Sequence, residues 1–282
     1  MRENRALVTG ASSGIGLNVT NYLIEQSWTI IAVYHDTLPK IESKNKSIIW
    51  IKADLSCEKG ILFLVSELKR LDIFYLTSLI NCAGVCIAGP VELTSYKSME
   101  HLLRINLLST LFLSASLVPI LKNGGKIINL GSSSGRQTLP YLGVYSSSKF
   151  ALRAASQALR FEFSIHGIQV CLIEAGNIAT PLWQKTNEGF KKNIEIYISS
   201  ASPYKNSLKK AKKLTEKAEI NAISPKYVSQ LVYKLLMKKK LPTSITLGFD
   251  ALLWKWIDLI LPDAIKECLV IKLFNLKFIK SA

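Results

Sequence analysis

The stretch from Arg5 to Gln26 constrains the fold more than any other part of the chain. "RALV" is a short continuous apolar strand, "TGASSGIG" follows with glycines at 10, 14 and 16, and helical spacing of apolar residues then runs from Ile15 to Gln26. A strand that turns through small residues straight into a helix leaves the first helical N–H groups free and aimed at the turn. Small residues there let the backbone approach a pyrophosphate, so the segment predicts a nucleotide-binding turn at the edge of a sheet. Its spacing, Gly-x-x-x-Gly-x-Gly, differs from the commoner Gly-x-Gly-x-x-Gly.

The rest of the chain repeats the alternation. Strands are expected at "TIIAVY", "SIIWIKAD", "TSLINCAG", "GKIINLG", "IQVCLIEAG" and "SITLG". Helices are expected at Glu58 to Arg70, Met99 to Leu121, Leu142 to His166 (stopped by Gly167) and Pro225 to Lys239, the last with a Ser224 cap and proline in its first turn. Continuous apolar strands between helices predict an α/β chain with a parallel sheet covered on both faces. Ligands of such sheets sit at the carboxyl ends of the strands. That rule selects the loops Gly10 to Gly16, Asn81 to Gly84, Gly131 to Gly135 and Ala175 to Thr180.

Composition excludes several classes of function. With 49% hydrophobic residues the 282-residue chain can fill a large core and is not disordered. Five cysteines without a repeated pair spacing argue against a disulfide framework or zinc site and for a reducing compartment. His35, His101 and His166 have no mutual spacing suited to a metal, so none is expected. The opening residues show no basic segment followed by an apolar one, which leads to the expectation of a cytoplasmic protein. The net charge of +16 invites an acidic partner. Yet the lysines are dispersed, and the denser stretch Lys185 to Lys240 lacks aromatics spaced for base stacking, so nucleic acid is not an expected partner. The uncharged runs Ile73 to Val91 and Ile105 to Leu121 are broken by Gly, Pro or Asn and read as a strand with its loop and a protein-buried helix.

"VYSSSKF" sets Tyr145 four residues before Lys149, on one helix face. By itself the pair is either a structural contact or a phenol tuned by an ammonium for proton transfer. Its company decides between them. "TGASSGIG", "NCAG" at 81 to 84, "INLGSSSG", "YSSSK" and "EAGNIATP" occur in an order that resembles the short-chain dehydrogenase/reductase family over nearly the whole chain. Two departures are Cys82, where that family has a second Asn, and Ala175, where proline is usual.

The resemblance implies a three-layer, doubly wound Rossmann-type fold with about seven mostly or fully parallel strands, in one domain over residues 1–282. It implies an NAD(P)-dependent oxidoreductase interconverting a secondary alcohol and a ketone or aldehyde. Tyr145 matches the catalytic tyrosine, Lys149 its lysine partner, Ser132 the catalytic serine (with Ser133 as competitor) and Asn106 the structural and proton-relay asparagine. An ordinary phenol titrates near about 10, and bringing it near neutrality takes roughly 4 kcal/mol of preference for the phenolate. An adjacent ammonium and the nicotinamide cation are the expected sources.

Implied cofactor contacts are Gly10, Ser12, Ser13, Gly14, Ile15 and Gly16 in the first loop, then Asn81, Ala83 and Gly84, and Gly176, Ile178 and Thr180 around the nicotinamide carboxamide. Tyr145 and Lys149 also reach the ribose. Asp54 and Leu55 match the adenine site, although Asp54 also suits a plain helix-terminal acid. At the end of the second strand Tyr34 stands where NAD-preferring relatives carry an acid. His35 follows, where NADP-preferring relatives carry arginine, so NADP(H) is favoured over NAD(H).

Residues 180–222 are expected to form a lid over a small, apolar carbonyl or alcohol substrate, of lipid-like, steroid or retinoid type by the same resemblance. Residues 252–282, with Trp254, Trp256 and Phe274, are expected as an apolar helical tail packed on the body or on a partner subunit, with peripheral membrane contact as the alternative. A homodimer or homotetramer through the two long helices is implied. A non-catalytic nucleotide-binding regulator is the competing reading.

Overall fold

The computed structural model describes residues 4–39, 47–121, 123–182 and 203–276. Seven strands form one sheet in the order β3-β2-β1-β4-β5-β6-β7, every neighbouring pair parallel. They are β1 (Arg5–Val8), β2 (Thr29–Tyr34), β3 (Ile48–Lys52), β4 (Ser78–Asn81), β5 (Lys126–Leu130), β6 (Gln169–Ala175) and β7 (Ser244–Leu247).

The continuous apolar runs split by the two-residue period of a strand. Ala6, Val8, Ile30, Ala32, Ile128 and Ile173 face one core, with Val19 and Leu23 of α1 (Gly14–Glu25) and Val228 and Val232 of α8 (Pro225–Leu236). Leu7, Ile31, Val33, Ile127 and Val170 face the other, with Ile61, Leu64 and Leu68 of α2 (Glu58–Arg70). Burial on both faces is what an all-parallel sheet requires, and it explains why the strands show no polar alternation.

The expected helix from Met99 to Leu121 is made of several pieces. α3 (Tyr96–Leu103) starts one turn earlier, where the Ser95 hydroxyl accepts the Ser98 N–H. A single wide π turn, Arg104–Leu108, then holds Asn106, and α4 (Ser109–Ser116) and α5 (Val118–Leu121) follow. Pro119 has no N–H to continue the ladder, which accounts for the break before α5. α6 (Gly143–Glu162) tightens into a short 3-10 turn, Phe163–His166, and ends at Gly167 in the left-handed region, φ 70°. α8 stops at Leu236 rather than Lys239, and the Lys126 ammonium accounts for this by donating to the free Leu236 and Lys238 carbonyls.

α7 (Lys205–Ile220), α9 (Phe249–Ile260) and α10 (Asp263–Phe274) complete the described chain. The tail packs on the body: Phe274 is buried against Leu208 and Ala211 of α7, with Tyr141 and Leu139 alongside. Of the predicted lid, residues 183–202 lie outside the described residues, and Trp183 is among them.

Candidate active site

β1 and β4 are adjacent although far apart in sequence, and the chain reverses direction of winding between them. The four selected loops leave the sheet on this edge. Thr9 ties two of them together, its hydroxyl oxygen accepting the Cys82 and Ala83 N–H groups at 3.0 and 3.1 Å. Gly10 turns with φ 63°, and a Cβ there would lie 2.9 Å from the Ala83 Cα. A Cβ at Gly16 would lie 2.2 Å from the Gly10 carbonyl oxygen, so only glycine lets α1 start this close to the strand end. Gly14 faces Thr180 from the other side.

Ser13, the residue before α1, makes no side-chain cap, and the first turn carries no acid. The leading N–H groups of α1 are therefore left for an anion, and the cradle fits a dinucleotide pyrophosphate. Ser12, Ser13 and Ile15 lie at this turn.

Tyr145 and Lys149 sit in the first two turns of α6, buried to 6% and 7% exposure. The Lys149 ammonium donates to the Leu130 carbonyl at 3.0 Å and stands 5.7 Å from the centre of the Tyr145 ring. Ser132 follows β5, and its hydroxyl stands beside the Tyr145 phenol in one cavity while accepting the Ser134 N–H at 3.1 Å. Ser132, not Ser133, is thus the serine that meets the phenol. A cavity of about 80 Å³ is lined by both of these groups and Lys149, with Ile15, Gly84, Gly176, Ile178 and Thr180 also on its wall.

Burial pushes the Tyr145 phenol well above the usual range; nearby Cys86 adds to this and the Ser132 hydrogen bond opposes it. Burial lowers Lys149 to about 8, against the opposing influence of Cys86 and Cys82. What the chain itself supplies therefore keeps the phenol protonated, a proton donor. A phenolate there needs positive charge in addition to that of Lys149.

Asn106 spends its whole side chain on the loop after β4 and on α6. Its amide oxygen accepts the Val85 N–H at 2.8 Å, and its nitrogen donates to the Val85 carbonyl at 2.9 Å and the Ser148 hydroxyl at 3.0 Å. Only its main chain, opened by the π turn, is left for a proton relay. Asn81 also points inward, donating to the Asn129 side chain at 2.8 Å.

At the end of β2, the Tyr34 ring stands edge-on to Trp50. His35 Nδ1 lies 2.8 Å from Asp36 and its Nε2 3.8 Å from Asp54. Asp54 accepts the Ser56 N–H at 2.8 Å. Burial raises the Asp54 carboxyl, but hydrogen bonds from Ser56 and the charges of His35 and His101 bring it below its ordinary value. The Leu55 side chain is buried in the core beneath α2.

Several residues that shape this edge escaped the motif reading. Asn129 donates to the Ser156 hydroxyl at 2.9 Å, extending the Asn81 bond across β5 to α6. Glu174, 1% exposed, pairs with Arg136 at 2.8 Å and with Arg153 at 3.4 Å, anchoring the turn that follows Ser132. A lone acid inside the apolar run "CLIEAG" was the available signal for that pair. Asp250, in the first turn of α9, accepts the Asn177 N–H at 2.8 Å, and nothing in its sequence neighbourhood marks it.

A second cavity, about 150 Å³, adjoins the first and shares Ser132 and Gly176 with it. Its wall is mostly apolar, with Leu139, Leu142, Leu214, Trp254 and Phe274, and Asp250 is its carboxylate. A depression of about 1000 Å³ lies elsewhere, over α2, α3, α4 and α6. Of the predicted site residues only Leu55 borders it, so size does not mark the site here.

The chain matches the short chain dehydrogenase family over residues 4–191. It is 28% identical over 252 residues to the 3-ketodihydrosphingosine reductase of Bacteroides thetaiotaomicron, covering 88% of this chain and 89% of that protein. It is 35% identical over 188 residues to the 3-amino-tetrahydro-pyrrolizinone reductase of Xenorhabdus hominickii, covering 66% and 65%. The crystal structure of a short-chain dehydrogenase from Streptomyces avermitilis superposes with a TM-score of 0.76 at 21% identity, covering 95% of each chain. The seven parallel strands, the glycine cradle and the extent of the sequence match converge: the protein belongs to the short-chain dehydrogenase/reductase family of oxidoreductases.

Proposed function

We propose that the protein interconverts a lipid-like ketone and its secondary alcohol with NADP(H), Tyr145 giving and taking the proton. One observation carries this reading: Ser132, Tyr145 and Lys149 meet the cofactor loops in one small cavity that borders a mostly apolar one. A nicotinamide held there would supply the hydride donor or acceptor.

The α1 N-terminus and the Gly10–Gly16 backbone would hold the diphosphate, Asp54 the adenine end, and Ile178 and Thr180 the carboxamide. Ser132 donates to the substrate oxygen, and Tyr145 moves its proton to or from that same oxygen. Lys149 keeps a positive charge within reach of the phenol, and Asn106 fixes the Val85 loop beside both. His35 would meet the ribose phosphate of NADP(H), and Tyr34 would spare it the repulsion an acid at that position would bring. The mostly apolar wall and the name of the Bacteroides relative both support a lipid-like substrate. α7, with Ala211 and Leu214 on the cavity wall, forms part of a lid over it. A Tyr145→Phe variant tests the reading. It should lose turnover with NADPH and every ketone yet bind NADPH with nearly unchanged affinity. Retained activity refutes the mechanism, and cofactor binding without turnover by the native protein over a broad ketone panel would favour a non-catalytic regulator.

Two partners follow from exposed apolar surface. Leu108, Phe112 and Phe161, on the helices around the large depression, support assembly of two copies through that face. Phe249, Leu252, Leu253, Trp256, Leu259 and Ile260 form an outward stripe along α9 at helical spacing. Among the described residues no helix is long and apolar enough to cross a membrane. The stripe, beside a strongly basic chain, supports peripheral contact with an anionic lipid surface. Co-sedimentation with anionic vesicles, lost in a Leu253→Ser, Trp256→Ser double variant, is the expected outcome.

A further inference from the structure

We infer that Asp250 recognises a substrate ammonium beside the reacting carbonyl, so that the ketone taken by this enzyme is an amphiphilic amino ketone. The inference deepens the function proposed above and rests on it.

The two cavities share Ser132 and Gly176. A carbonyl oxygen held by Ser132 and Tyr145 therefore has its carbon in the small cavity and its substituents passing Gly176 into the larger one. Asp250 stands at that passage. One carboxylate oxygen accepts the Asn177 N–H at 2.8 Å. Both oxygens lie over Gly176, where a Cβ would come within 2.1 and 2.5 Å of them, and the nearer also lies against Gly248. Glycine at 176 thus leaves the carboxylate in the passage, where any other residue would displace it.

Among the described residues no lysine, arginine or histidine forms an ion pair with Asp250. The nearby Arg136 and Arg153 are committed to Glu174. An acid bordering a mostly apolar cavity is costly to desolvate unless a cation meets it there. A plain hydrocarbon ketone would impose that cost, whereas an ammonium one or two bonds from the carbonyl would relieve it with a charge-assisted hydrogen bond. Beyond the passage, Leu214, Trp254 and Phe274 suit a hydrocarbon tail.

The reduction balances simply. The carbonyl carbon takes the hydride of the reduced nicotinamide and the C=O π pair takes the Tyr145 proton. The products are the amino alcohol and the oxidised cofactor, Tyr145 regains its proton from solvent, and the ammonium keeps all of its own.

The test compares an α-aminooctanone hydrochloride with the ketone in which a methyl group replaces the ammonium. With NADPH, the native enzyme should show kcat/KM about ten- to a hundredfold higher for the amino ketone. Asp250→Asn, which keeps an oxygen for the Asn177 N–H, should reduce that ratio to near one. Equal or better use of the methyl ketone by the native enzyme overturns the inference while leaving the oxidoreductase reading intact. Turnover of neither ketone with either cofactor overturns the reading beneath it. A second measurement does not depend on the variant folding or on turnover. Octylamine should raise the melting temperature of the native, cofactor-free protein at lower concentration than octanol, and the reverse order counts against Asp250.

Discussion

Replacing Lys149 with methionine should change how stability depends on pH, and the size of the change follows from burial. The ammonium titrates at about 8 in the folded protein against an ordinary 10.5, because burial penalises its charge. That difference is worth about 3 kcal/mol against the fold wherever both states are protonated, which is below about pH 8. Between about 8 and 10.5 the unfolded chain binds the proton and the folded chain has released it, so stability rises with pH. From neutrality to about pH 9.5 the native protein should gain about 2 kcal/mol relative to Lys149→Met, or roughly 4–8 °C in melting temperature.

The variant loses the hydrogen bond to the Leu130 carbonyl, a cost of about 1–3 kcal/mol that does not vary with pH. At neutrality the two effects oppose each other, so the variant should be nearly as stable as the native protein and fall behind only in alkali. Chemical denaturation of both cofactor-free proteins across the pH series is the assay. Parallel pH profiles would refute the reasoning, because Lys149 would then carry no buried charge to relieve. The same titration ties stability to chemistry: above about pH 8 the site loses the cation beside Tyr145, and support for the phenolate should weaken with it.

Three further outcomes are expected. Glu174→Ala leaves Arg136, 8% exposed, without its acid, and should cost about 3–5 kcal/mol in denaturant titrations. Gly16→Ala drives a methyl group to 2.2 Å from the Gly10 carbonyl, so NADPH affinity should fall at least about tenfold by fluorescence titration, with a loss of about 1–3 kcal/mol in stability. His35→Asp places a third carboxylate beside Asp36 and Asp54, and should shift the ratio of NADPH to NADH dissociation constants roughly tenfold or more toward NADH; an unchanged ratio removes His35 from cofactor choice.

The strand-turn-helix at Arg5 to Gln26, the alternating elements and the Tyr145–Lys149 pair were legible from the chain alone because they are local. A two-residue period, a glycine at a forced turn and an i,i+4 pair are written in neighbouring residues. Tertiary structure alone decided which serine meets the phenol, since Ser132 and Ser133 differ only in where the turn after β5 aims them. It also turned Asn81 and Asn106 inward, onto Asn129 and Val85, and placed Glu174 between two arginines. Asp250 reached Gly176 only through the return of β7 to the sheet edge, 74 positions further along the chain. Such contacts depend on strand order and loop direction, which sum interactions over the whole sheet, so no window of sequence encodes them.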